Sequence, residues 1–432
     1  MLSSEESDKY KTFCMKTLRY CLLALPILFV SCMKDTVKES YSFYRPVYQT
    51  KDEVKAGIRN SPSESITRPG KIVLMGNYLF LNDVDKGIHV IDLTDVSQPQ
   101  KIAFIHIPGC VDIAINGNNL YADCYTDLVT IDITDPRNVS VKQFLNGVFP
   151  HRYYGAFSAD TGKVIKKWVK VDTVITRRLN GSVSGNFEFD ARGLTMWSSF
   201  RFSAASFSGT ATTGIAGSTA RFGLQQNRLY TVSHDDLKVF NVTKADAPAF
   251  VKKIDLNQGG IETLFPYRNN LFIGGQSGMY IYNASNPDDP QKLGQFVHVR
   301  ACDPVIADGD IAYVTLQGGS FCGGFSNQLD VVNIKSLTSP QLIKTYPLKS
   351  PKGLSKDGST LFICDGTDGL KLFNASDASN ITLIKTISGF EPDDVIAYQG
   401  YALAVAKDGI YFIDYRDLTN AKVISKIQVA QN

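Results

Sequence analysis

One pattern recurs along the chain and limits what it can fold into. An apolar strand ending in Leu-Tyr/Phe-Val/Ile meets a turn with Asp or Gly, then a second strand closed by Asp or Asn. A short Ser/Thr/Asp/Pro segment follows. The second strands end at Asp92, Asp132, Asn241, Asn283, Asn333, Asn374 and Asp414. Successive anchors lie 40, 109, 42, 50, 41 and 40 residues apart, so five of six intervals match one four-stranded propeller blade. Each unit resolves into four short runs of alternating apolar residues, and turns such as Asn116-Gly117 and Asp408-Gly409 supply the positive φ that tight hairpins need. A lone four-stranded sheet cannot bury both faces, whereas radial packing around an axis can. The expected fold is all-β, a β-propeller of seven blades.

The 432 residues are 44% hydrophobic and 20% charged with a net charge of +3, which is globular and gives no electrostatic reason to expect a nucleic-acid partner. The segments Gly87-Ile-His-Val-Ile-Asp, Met279-Tyr-Ile-Tyr-Asn-Ala-Ser and Gly369-Leu-Lys-Leu-Phe-Asn-Ala-Ser resemble the LVIVD repeat. That resemblance runs from about Lys71 to Val429 outside one insert. It implies a propeller lipoprotein of the kind widespread in Bacteroidetes, and it transfers no reaction and no catalytic residue.

The N-terminus reads as an address. From Met15, Lys16 and Arg19 precede an apolar run from Tyr20 to Val30, too short to span a bilayer comfortably and shaped like a secretory signal. Met15 is therefore the expected start, and residues 1–31 the expected signal region. Leu28-Phe29-Val30-Ser31-Cys32 resembles a bacterial lipobox, which makes Cys32 the expected lipidation site and the outer membrane the expected location, facing either the periplasm or the outside. Residues 32–69, with Pro46 and Pro62, read as a lipidated tether. Residues 70–432 are the propeller.

The 109-residue interval equals one blade plus an insert at 150–217. Lys163 to Val171 reads as part of a strand pair, and the Ser/Thr/Gly/Ala-rich run from Ser203 to Ser218 reads as a loop. The insert is expected as a flap; the alternative is a degenerate eighth blade. Export permits disulfides, and Cys302–Cys322 and Cys110–Cys124 are the candidate pairs, with Cys364 expected as a buried thiol.

The residue near the start of each inner strand is often charged: Lys71, Asp112, Arg221, Glu262, Asp303, Lys352 and Asp394. Blade symmetry gathers these at one mouth of the central channel, as a ligand site or as charges that neutralise one another around water. No HExxH, GxSxG or Walker pattern occurs. The chain is accordingly expected to be a non-catalytic scaffold without a cofactor, anchored to the membrane by lipid and binding a protein or glycan. The alternative is a metal-dependent, lactonase-like hydrolase holding a divalent cation on the channel acids.

Overall fold

The computed structural model describes residues 36–149, 162–178, 214–298, 304–319, 324 and 326–430. It divides into two compact units, Met1–Val47 with Lys167–Gly193, and Tyr48–Lys166 with Leu194–Asn432. The signal region and Cys32 lie outside the described residues.

The larger unit is a propeller of seven blades, as the anchor spacing predicts. Blade 1 comprises Pro69–Met75, Tyr78–Asp83, Gly87–Asp92 and Gln100–His106; blade 2 comprises Ile113–Asn116, Asn119–Cys124, Asp127–Asp132 and Ser140–Leu145. Blade 3 spans Phe222–Asp255, blade 4 Ile261–Val297, blade 5 Val305–Pro347, blade 6 Pro351–Ile387 and blade 7 Pro392–Gln428, each an antiparallel meander of four strands.

The repeat has a visible local cause. At all seven anchors the side-chain oxygen accepts the backbone N–H two residues on, at 2.8–3.0 Å, closing the third strand with an Asx turn. The next residue donates its N–H to the hairpin between the first two strands, as Leu93 does to Asn77 and Ala375 to Ser359. In every blade the register between third and fourth strands then slips by one residue. Such a bulge twists the outer strand.

Blade-to-blade packing also repeats. The third residue of each second strand is a large buried side chain: Phe80, Tyr121, Tyr230, Phe272, Tyr313, Phe362 and Leu403. Where that residue is Tyr121 or Tyr230, its hydroxyl donates to Ala245 O or Pro287 O of the next blade. Closure needs no shared strand. Ile72, Leu79 and Ile91 of blade 1 pack on Leu403, Ile410 and Phe412 of blade 7, and Ile66 adds a parallel bridge to Val429.

Three expectations change. The tether expected at 32–69 is structured from Thr36 on. Thr36–Thr50 is a strand, and its Tyr and Phe content favours extended backbone, with Pro46 tolerated because the sheet has only two strands. The helix Lys51–Ala56 (α1) follows, opened by a capping box between Thr50 and Glu53. Lys51 Nζ binds Asp127 Oδ1 at 2.8 Å, and Arg59–Ser61 adds a fifth strand to the outside of blade 1. Second, the strand at Lys163–Arg178 pairs with Thr36–Thr50 and not within the insert. The described part of the insert therefore supplies no eighth blade. Third, Cys110 and Cys124 are both buried thiols, not a disulfide. Cys124 Sγ donates to Pro108 O and Cys110 Sγ to Asp112 O, so each is oriented by a different carbonyl. Cys302 and Cys322 lie outside the described residues. Cys364 is a fully buried thiol, as expected.

Candidate functional site

The first strands of successive blades line the channel, so a charge near the start of each arrives at the same level. Five of the seven predicted charges come together. Lys71, 3% exposed, sits within electrostatic reach of Asp112, Asp394, Arg221 and Glu262. Lys352 sits one place earlier in register, with Gly353 at the position matching Lys71 and Asp394, and its Nζ is 2.5 Å from Asp393 Oδ1. Asp303 lies outside the described residues.

Burial dominates the electrostatics here. It drives the Lys71 ammonium well below its ordinary value, against the pull of Asp112 and Asp394. Burial likewise raises Asp112, which Lys71 and the Arg221 N–H hold back. Asp394 is pushed up to about 7, burial again outweighing Lys71. Asp112 and Asp394 are seated alike, each accepting the following residue's N–H at 2.9 Å. Glu262 is half-buried and accepts from Gln276 Nε2 at 3.3 Å.

A second layer of aspartates positions this ring, and sequence reasoning missed it. Asp83 accepts the N–H groups of Thr67 and Arg68, Asp123 those of Val111 and Asp112, and Asp365 those of Lys349 and Ser350. Each clamps the loop leading into the inner strand that carries Lys71, Asp112 or Lys352. The available signal is an acid closing a second strand, as in Leu79-Phe-Leu-Asn-Asp83 and Leu361-Phe-Ile-Cys-Asp365.

The channel is also occupied. Between blades 2 and 3 the chain returns through the centre of the ring as Gly214–Ala220. Gly214 N donates to Ile115 O of blade 2, and Ile215 and Ala216 pair antiparallel with Leu74 and Val73 of blade 1. Ser218 Oγ accepts Leu354 N of blade 6 at 2.8 Å, and Ala220 O accepts Leu264 N of blade 4 at 2.9 Å. Lys71 Nζ donates to both oxygens of Thr219. Ser218 and Thr219 are fully buried. Small residues are required here. A Cβ at Gly214 would come within 2.4 Å of the Val73 side chain.

Asp112, Glu262 and Asp394 thus face the chain's own cations and its own plug. Among the described residues no three His, Cys, Asp or Glu side chains converge as a metal-ligand set. A separate cleft of about 350 Å³ opens between blades 3 and 4, lined by Lys252, Ile254, Gln258, Tyr282, Asp289 and Lys292 among others.

The LVIVD repeat model matches residues 70–103 and 110–145, which are blades 1 and 2. No curated protein matches the chain in sequence. Among solved structures it is similar to the computationally designed Ika8 protein, at 12% identity and TM-score 0.51 over 87% of this chain and 92% of that one. A protein from Lactobacillus plantarum is 14% identical with TM-score 0.50, over 78% and 88% of the two chains. BamB from Moraxella catarrhalis is 8% identical with TM-score 0.45, over 88% and 89%. The likenesses to Ika8 and the Lactobacillus protein show the fold alone.

Proposed function

We propose that this LVIVD-repeat propeller is a lipid-anchored scaffold of the bacterial cell envelope, held in the outer membrane through Cys32 and binding a protein or glycan without catalysis. One observation carries the reading. The channel, where a ring of convergent charges would otherwise receive a small ligand, is filled by Gly214–Ala220, and Lys71 is spent on Thr219. Recognition then falls to the blade edges, the loops and clefts such as the one beside Tyr282.

Metabolic labelling with a palmitate analogue tests the anchor: label is expected on the parent chain and absent from Cys32→Ser. The binding role is tested with purified full-length Cys32→Ser protein on glycan arrays and in pull-downs from envelope extract. Saturable capture that survives Asp394→Asn supports the scaffold. Turnover of an ester or lactone that is lost in Asp394→Asn or Glu262→Gln would replace it with the hydrolase.

A further inference from the structure

The two-stranded ribbon of Thr36–Thr50 and Lys163–Arg178 is used by neither the propeller fold nor the channel. The Lys51 N to Gly162 O bond and the Ser42–Asp172 hydrogen bond fix its strands as antiparallel. It is unusual in charge. The two strands carry eight basic residues against Glu39 and Asp172, a formal +6 in a chain whose total is +3, which leaves the remainder at −3. Lys38, Arg45, Lys163, Lys166, Lys167 and Lys170 are all exposed. The same strands expose Tyr41, Phe43, Tyr44, Tyr48 and Val174 at 38–58%. Trp168 is half-buried among them.

Lysines interspersed with aromatic rings suit a lipid headgroup layer, where the rings sit at the polar–apolar boundary and the ammonium groups meet phosphates. Position favours the same occupant. Cys32 precedes Thr36 by four residues, which span at most roughly 14 Å when extended. Fifteen strand residues reach about 50 Å. Were the ribbon to stand upright, only the end beside Cys32 would need to suit a membrane. Instead the basic and aromatic residues run its whole length, from Lys38 to Tyr48 and from Lys163 to Val174, as a ribbon lying flat requires.

We infer that the ribbon is a membrane-docking element that lies on an anionic phospholipid surface. This extends the anchoring reading, but its test does not depend on lipidation. Full-length Cys32→Ser protein is mixed with vesicles of phosphatidylcholine alone or with added phosphatidylglycerol, and bound protein is sedimented. Binding is expected only with phosphatidylglycerol, weakening as salt rises. In a Trp197→Phe background, Trp168 emission is expected to shift to the blue on binding. At roughly fivefold for each lysine neutralised near such a surface, K166Q/K170Q, whose side chains fall on the Trp168 face of the strand, is expected to bind about twenty-five-fold more weakly, with an unchanged melting temperature because both side chains are exposed. Equal binding to both vesicle types, no binding to either, or a double variant that binds like its parent overturns the inference. A failed palmitate label at Cys32 would remove the anchor and leave this result standing.

Discussion

The interior of the blades and much of the channel wall are buried alike, yet they are built from opposite materials. Between blades the buried side chains are Phe80, Phe272, Phe362 and their equivalents, whose stability comes from area removed from water and from shape. In the channel they are Lys71, Asp112 and Asp394, each costly to bury, held by mutual pairing and by the plug. An apolar core registers only lost volume. A buried charge cluster registers imbalance, so removing one member does more harm than removing two of opposite sign.

Substitutions can break that distinction. Lys71→Met removes the cation shared by Asp112 and Asp394 and is expected to cost about 3–5 kcal/mol in urea denaturation of the Cys32→Ser protein. Adding Asp394→Asn is expected to return part of that loss. Phe272→Ala should cost a similar amount, about 3–5 kcal/mol, but with no second site that restores it. If the Lys71 and Asp394 changes simply add, the channel is no different in kind from the blades.

Burial also makes the channel respond to acidity. Folded Asp394 keeps its proton up to about 7, whereas an unfolded aspartate loses it near 4. The folded state is the better proton binder in between, so this group makes stability fall as pH rises from about 4 to about 7. Asp394→Asn is expected to flatten that stretch of the melting-temperature profile, and an unchanged slope would show that Asp394 is not strained by burial.

Smaller effects belong to the repeat and the surface. Asn374→Ala removes one Asx turn and is expected to cost about 1 kcal/mol by denaturation. Lys170→Ala breaks an exposed 3.4 Å pair with Asp172 and is expected to leave the melting temperature unchanged.

The seven blades were legible because each anchor Asp or Asn performs a local task, an Asx turn, that leaves the same mark each time. The charge ring was legible by symmetry alone, since Lys71, Asp112 and Asp394 hold matching places in their inner strands. The plug was not. Gly214, Ala216, Gly217 and Ser218 are small, weak strand formers that read as loop, and their smallness is a demand of the tight approach to Val73. Nothing within the insert encodes that approach; it exists only once the ring surrounds it. The Thr36–Thr50 strand was missed for a related reason, because its partner lies more than a hundred residues away.

An array in which each module touches only its neighbours can grow one unit at a time. Gly214–Ala220 removes that freedom here. Its bonds reach blades 1 and 2, made before it, and blades 4 and 6, made after it. Until blade 6 emerges, Ser218 has no Leu354 amide to accept. The centre of the ring thus cannot be completed before blade 6 is made, and the plug ties blades 1, 2, 4 and 6 together beyond nearest-neighbour contacts.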